Sequence, residues 1–303
     1  MTDQIKITAV IVTHHPDLNV LEMLLLAIRG QVKNVVIVDN GSGEYFLHWF
    51  DERDWQNEFL IDLGDNFGIA TAQNKGINWA ERHGMTHVVL FDQDSIPGSD
   101  MVSKLFDALQ HKMCLGIKVA AMGPGYVDER NTGHPSFIRV SCFKVVTGVC
   151  AKFDEIIESD IVISSGCLIC LKVLREIGEL IDDLFIDQVD IEWCLRAKAL
   201  GYQSFVVCGA EMNHSLGEKP KTFFRRKFLH HGPLRHYYIF RNAVWLIFQS
   251  YVPFGWKLLF IRIIIVKMFL YGCLVSPRLS YLKMMTQGIL HGFVGRLGRY
   301  QKF

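Results

Sequence analysis

His87-Val-Val-Leu-Phe-Asp92-Gln-Asp94-Ser95 is an apolar run that stops at two carboxylates separated by one residue. A strand buried on both faces reads as such a run, and in open α/β sheets ligands gather at the carboxyl ends of strands. In an extended chain residues i and i+2 point to the same side, so Asp92 and Asp94 can converge on one ligand. Two hard carboxylate oxygens suit Mg²⁺ or Mn²⁺, ions that in turn hold diphosphates. The segment also has a plainer use, a strand-to-loop junction in which Asp94 or Ser95 caps a turn.

Outward from this strand the chain alternates between two periodicities. Residues 5–12 are a β-branched run, 18–29 have helical spacing, and 34–38 are apolar again, which makes a βαβ unit with a parallel sheet. The alternation continues with a strand at 59–62, a helix at 70–83 closed by Gly84, and a strand at 86–91. A helix near 100–111 and a strand near 119–123 follow, then a less regular stretch over 133–159. Residues 164–171 read as a buried strand, 189–200 as a helix ended by Gly201, and 203–208 as a strand. The expected fold class is α/β, a Rossmann-like, mostly parallel sheet flanked by helices.

Three other strand ends place polar residues on the same edge. Val12 runs into Thr13 and His14, and Val38 into Asp39-Asn40-Gly41-Ser42. Asp39 can accept the N3–H of a pyrimidine base or form an Asx turn with Gly41. In Gly64-Asp65-Asn66-Phe67-Gly68, Gly68 permits positive φ or close ligand approach before a helix. No Gly-rich phosphate loop follows the first strand, which argues against dinucleotide-binding and P-loop proteins. A second acid cluster, Asp187, Asp190 and Glu192, opens the helix near 189–200. Its apolar face (Ile186, Val189, Trp193, Ala197, Leu200) leaves Asp190 and Glu192 off that face. Asp190 is the candidate general base, although Asp187 could be the N-cap and Glu192 can pair with Arg196 at i,i+4.

Of the 32 Lys and Arg, 15 lie in residues 219–303, where there is no Asp or Glu; residues 1–218 carry 17 against 31 acids. The cations of the tail sit among Phe, Leu, Ile, Trp and Tyr, so an anionic membrane surface is the expected partner and nucleic acid is not. Lys257, Arg262 and Lys267 interrupt the most apolar stretch, which favours peripheral attachment over spanning. Leu282, Met285, Ile289 and Phe293 form one apolar face, as a helix lying in the membrane plane would, while the cations over 256–271 share no face and must snorkel or pack on a partner. Covering of the catalytic domain, or a homodimer, is the alternative use of these helices. The boundary expected is 1–218 for the catalytic domain and 219–303 for the helical membrane-associating region. With no secretory signal, the cytoplasmic face of the plasma (inner) membrane is the expected location and the eight cysteines are expected as thiols, Cys167-x-x-Cys170 included.

Taken in order, these segments resemble the family-2 inverting glycosyltransferases of GT-A fold, over about residues 5–242. The marks are Val10-Ile-Val-Thr-His14, Val38-Asp39-Asn40-Gly41-Ser42, Asp65-Asn66-Phe67-Gly68 with Asn74 and Gly76, Phe91-Asp92-Gln93-Asp94, Ser165-Gly166 and Asp190-Ile-Glu192-Trp193-Cys-Leu-Arg196. Gln93, the Glu192-Trp193 pair, Asn213-His214-Ser215 and Arg235-His-Tyr-Tyr238-Ile-Phe-Arg241-Asn242 resemble the rhamnosyltransferases of bacterial surface-polysaccharide (O-antigen-type lipopolysaccharide) synthesis. The resemblance implies transfer of L-rhamnose from dTDP-β-L-rhamnose to a lipid-linked saccharide acceptor, with Mg²⁺ or Mn²⁺. It implies nucleotide contacts from Thr13, His14, Asp39, Asn40, Asp65, Asn66, Gly68, Asn74, Asp92 and Gln93, and metal contacts from Asp94 and His214. Asp190 would be the base, supported by Glu192. Ser165, Gly166, Trp193, Arg196, Arg235, Tyr238 and Arg241 would meet the diphosphate or acceptor. Many relatives have Glu-Asp where this chain has Val189-Asp190, so a single acid is expected. The alternatives are a UDP-galactofuranose or UDP-N-acetylglucosamine donor, or a non-catalytic nucleotide-sugar-binding membrane protein.

Overall fold

A computed structural model describes residues 6–127, 136–142, 144–214, 221–223, 226–228 and 232–301. The elements in chain order are β1 Ile7–Thr13, α1 Leu18–Ile28, β2 Asn34–Asp39, α2 Glu44–Asp51, β3 Glu58–Asp62, α3 Ile69–Arg82, β4 His87–Asp92, β5 Ser95–Pro97 and α4 Met101–Cys114. They continue with β6 Val119–Val127, β7 Ser136–Val140, β8 Val145–Val149, β9 Ile156–Ser159, β10 Cys167–Cys170, α5 Leu171–Ile177, α6 Val189–Ala199 and β11 Gln203–His214. A two-stranded ribbon, β12 Lys221–Phe223 and β13 Arg226–Phe228, precedes α7 Pro233–Ile247, α8 Phe254–Phe269 and α9 Arg278–Phe293.

The main sheet has the order β3-β2-β1-β4-β10-β6-β11-β5, with β9 also on β11. The first half is parallel: β1 pairs with β2 and β4, and β2 with β3. This is the half in which the sequence alternates strand with amphipathic helix, because a parallel pair needs a crossover and the helix is that crossover. β10 then runs antiparallel between β4 and β6, and β5 and β9 pair antiparallel with β11. β1, β2 and β4 are buried on both faces except at Asp92, and the apolar cores on the two sides of the sheet separate their alternate residues. Burial at about 25 cal/mol per Å² holds this half together. The strands end together on one edge: Thr13 is in register with Asp39, and Val12 with Asp92.

The C-terminal helices pack on the sheet domain through Leu195, Ala243, Leu246, Trp256 and Phe260. Of the apolar face expected on α9, Met285 is fully buried against α7 with Phe240, Tyr271 and Tyr281, and Leu282 and Ile289 pack beside them, while Phe293 is 62% exposed. Small residues allow this. A Cβ on Gly288 would come within 2.5 Å of the Tyr237 carbonyl oxygen, and one on Gly292 within 2.5 Å of that of Arg241. A Leu at either position would hold the two helices apart. Among the described residues, no helix is long and apolar enough to cross a membrane. The expected domain boundary at 218 lies outside the described residues. The thiol expectation needs correction, because Cys150 and Cys208 form a disulfide. Strand β9 brings the segment ahead of it alongside β11, where the Cys208 N–H donates to the Glu155 carbonyl, and the two Cα atoms stand 5.8 Å apart, within bridging reach. Cys167 and Cys170 remain free on β10.

Candidate active site

The strand ends open into a cavity of about 1070 Å³. Its floor is Thr13 and His14 at the end of β1, Asn40 after β2, Asn66 and Gly68 before α3, and Asp92, Gln93 and Asp94 at the end of β4. One side is Ser164 and Ser165, another is Ile186 to Ile191 with Asp190, and the last is carried by α7 and α8 as Arg235, Ile239, Ile263 and Lys267.

Side chains tie the strand ends into one edge. Gln93 Oε1 accepts the His14 N–H at 2.7 Å, and Gln93 Nε2 donates to the His14 carbonyl at 3.3 Å, clamping the acid loop to β1. Asn40 Oδ1 accepts the Phe67 N–H at 2.8 Å and Asn40 Nδ2 donates to Asn66 Oδ1 at 3.2 Å, joining β2 to the loop before α3. Asp39 lies just below, fully buried; it accepts the Thr13 hydroxyl at 2.8 Å, the Ser42 N–H at 2.7 Å and the Ser42 hydroxyl. These bonds hold the turn after β2 through Ser42 rather than Gly41, and Asp39 is not among the residues lining the cavity. Ser165 holds the acid loop from the other side, with its Oγ accepting the Asp92 N–H at 3.1 Å and sharing a proton with Ser95 Oγ at 2.6 Å.

The segment before α6 is forced into conformations L-residues seldom adopt. Phe185, Asp187 and Gln188 have φ of 63°, 64° and 63°. Strain of this kind persists only where surroundings over-determine it. Asn242 Nδ2 donates to the carbonyls of Leu184, Ile186 and Asp187 at 3.0, 2.9 and 2.8 Å, and the buried Arg241 guanidinium donates to those of Asp183, Leu184 and Gly298. Gly68 completes the brace at φ 90°: its helix receives the Phe185 carbonyl on the Ile69 N–H at 2.7 Å, and a Cβ there would stand 2.5 Å from that oxygen. The loop so fixed presents Asp190 to the cavity. Burial pushes the Asp190 carboxyl above its ordinary value, against hydrogen bonds from the Ile191 and Ser164 N–H groups that lower it.

Several expected residues stand elsewhere. Glu192 is 0% exposed and turned into a network in which Arg196 binds it at 2.8 and 3.0 Å and the Tyr251 hydroxyl donates to it at 2.8 Å; burial and the Glu192 charge push that hydroxyl well up. Arg196 also ties the Ile177 and Glu179 carbonyls, and Trp193 donates to the Gly178 carbonyl from the core. Asn74 binds the backbone of Leu180 and the Asp182 carboxylate, and Tyr238 stacks on Phe185 and receives the Tyr300 N–H. Asp65 is at the surface, paired with Arg299, whose hydrogen bond lowers its pKa. Gly166 lies behind Ser165 against Pro124. None of these, nor Arg241, lines the cavity; apart from the surface Asp65, they brace its walls. Their spacing near true cavity residues hid this. The backbone of His214 pairs with Ser95, beside the acid loop, and its side chain lies outside the described residues. The structure adds Asp187, Gln188 and Lys267 to the lining. The helix-start position of Asp187 was a usable signal, whereas nothing in the local sequence marks Lys267.

Asp92 and Asp94 offer hard oxygen donors at the mouth of a cavity large enough for a diphosphate, which fits a Mg²⁺-like ion held by one or two carboxylates plus substrate phosphate. Residues 8–159 match the family described as glycosyl transferase family 2. The chain is 32% identical over 290 residues to the dTDP-rhamnosyl transferase RfbF of Shigella flexneri, an alignment covering 94% of this chain and 93% of that protein. Among solved structures it is similar to residues 1–349 of S. aureus TarS (TM-score 0.60, 13% identity, 95% of this chain and 81% of that one). It is also similar to GalNAc-T7 crystallised with UDP, GalNAc and Mn²⁺ (TM-score 0.60, 11% identity, 97% of this chain), of which it spans 57%. At these identities the two structures speak for the fold. The parallel half-sheet, the acid loop at its edge and the matched sequence together place this chain in glycosyl transferase family 2.

Proposed function

We propose that the chain transfers L-rhamnose from dTDP-β-L-rhamnose, with inversion, to a lipid-linked saccharide acceptor in surface-polysaccharide synthesis. The observation that carries the reading is that Asp92, Asp94 and Asp190 line one cavity, in a chain 32% identical to a dTDP-rhamnosyl transferase.

In this reading the nucleotide lies along the edge from Thr13 to Gly68, where the Gln93–His14 clamp and the Asn40–Asn66 contact fix the strand ends before substrate arrives. Asp92 and Asp94 would hold Mg²⁺ or Mn²⁺, and such an ion would neutralise charge on the departing diphosphate. Asp190 takes the proton of the acceptor hydroxyl as that oxygen bonds to the anomeric carbon and the bond to dTDP breaks. The transition state is oxocarbenium-like, so one displacement gives the α-L-rhamnoside. A carboxylate held above its ordinary pKa by burial is a stronger base, and it works once ionised.

The same reading places the enzyme on the cytoplasmic face of an anionic membrane. The support is the outer side of α8, where Ile261, Ile265, Val266 and Phe269 are 41–65% exposed beside the exposed Arg262, in a region without acidic residues. Two measurements test these proposals. Purified protein with Mg²⁺ should bind dTDP and cleave dTDP-β-L-rhamnose in preference to UDP-galactofuranose and UDP-N-acetylglucosamine; preference for a UDP-sugar overturns the donor. Flotation with anionic liposomes should succeed at low salt and fade with added salt, since each surface cation contributes about 1 kcal/mol that screening weakens. Failure to float at low salt overturns the membrane placement.

A further inference from the structure

Helix α8 divides two environments. Ile263 and Lys267, one turn apart, line the cavity, whereas Ile261, Ile265 and Phe269, each two residues (about 200°) from one of them around the helix, are exposed on the outside. Of the two uses open to the cations of this apolar run, snorkelling outward or packing inward, Lys267 takes the inward one. It is partly buried, and its ammonium makes no hydrogen bond or ion pair with any described residue.

Asp187 is the carboxylate whose charge acts on Lys267. Arg235, from α7, binds Asp187 through Nε and Nη2 at 3.2 Å, so that carboxylate is already engaged by another cation. Burial and the Arg235 charge lower the Lys267 pKa while Asp187 raises it. A buried cation without a matching partner is costly unless a ligand supplies the anion. Guanidinium and ammonium donors suit phosphate oxygens. The carboxylate end of the cavity, at Asp92 and Asp94, belongs to the strand edge; this cationic end belongs to the helix whose other side is exposed and apolar.

We propose that Lys267 and Arg235 form a second anionic subsite that takes the phosphate or diphosphate of the lipid-linked acceptor, separate from the subsite of the donor diphosphate. The inference rests on the glycosyl-transfer reading and names how that site holds its acceptor. Lys267 acts as a positioning residue: it fixes the head of the acceptor so that the hydroxyl reaches Asp190.

The test is titration calorimetry on the full chain, first with dTDP and Mg²⁺, then with inorganic pyrophosphate after dTDP is saturating. Wild type should take up pyrophosphate with dTDP in place. Lys267→Gln should weaken pyrophosphate about tenfold or more, the worth of one charge-assisted hydrogen bond, with dTDP affinity unchanged, and Lys267→Arg should restore it. No pyrophosphate uptake by the dTDP-loaded protein, or no effect of Lys267→Gln on it, overturns the subsite. A parallel loss of dTDP affinity in Lys267→Gln also overturns it, by assigning the cation to the donor. Failure of wild type to bind dTDP at all is a distinct result that overturns the glycosyl-transfer reading and the subsite with it.

Discussion

Two of the chain's acid pairs, Asp92 with Asp94 and Asp190 with Glu192, share one spacing and lie at or beside the cavity. The first pair leaves the end of β4, where the chain is extended and then turns, and both carboxylates reach the cavity. The second stands in the first turn of α6, where two residues are about 200° of rotation. Asp190 therefore faces the cavity while Glu192 faces the opposite way, into Arg196 and Tyr251. Equal spacing carries chemistry in a strand end and divides labour in a helix: one acid for the reaction, the other for the wall that holds it.

Substitutions can break this comparison. The largest effect is expected from Asp190→Asn, which should keep dTDP binding and lose transfer by about 10²–10⁴, the worth of a positioned general base. If the loss appears as weaker nucleotide binding, Asp190 belongs with the donor contacts. Asp94→Ala should remove dependence on Mg²⁺ or Mn²⁺ and cost about 10²–10³ in turnover, as loss of one charge-stabilising group does. Near wild-type turnover in that variant would remove the metal assignment. Glu192→Ala should act on stability: it leaves the partly buried Arg196 and the Tyr251 hydroxyl without their acceptor, at a cost of about 1–3 kcal/mol in urea unfolding. Turnover per folded molecule should stay within a few-fold of wild type, and a loss matching that of Asp190→Asn would make the two acids a catalytic pair after all.

Much of the fold was legible because the parallel half-sheet writes itself as continuous β-branched strands alternating with amphipathic helices. The antiparallel additions were not: β5 is three residues long, and β9 lies in a stretch with no clean alternation. Strand-end residues were legible as site residues because all strands of a parallel unit end on one edge. The residues of the C-terminal helices were less so, since Arg241 and Asn242 have phosphate-binding chemistry yet spend it on backbone carbonyls of the loop before α6. Lys267 shows the converse. Its five-residue spacing from Arg262 gives no common face, and only the docking of α8 reveals that one cation points inward. For α9, the packing of Met285 on α7 was not legible, because Gly288 and Gly292 reveal close helix contact only once a partner helix is known.

The smallest effect concerns pH, and it separates Asp190 from Glu192 without any substrate. Burial raises the folded-state pKa of Asp190 above the ordinary 3.8, so the folded protein binds that proton more tightly than the unfolded chain does. Stability then falls as pH rises from the ordinary value through the raised one, and the whole loss is present once the folded-state carboxyl is ionised. Asparagine cannot ionise and its side-chain oxygen can still accept the Ile191 N–H, which Asp190 receives at 2.8 Å. Asp190→Asn should therefore match wild type in thermal stability at strongly acidic pH and gain on it as pH rises, with the gap constant once Asp190 is fully ionised. The acidic limb of the transfer rate should lie in the same window, above the ordinary carboxylate range, because the base must be ionised to act. A stability gap that does not change with pH, together with a rate limb at ordinary carboxylate pH, would mean that water reaches Asp190 freely and that the loop before α6 does not hold it as a buried base.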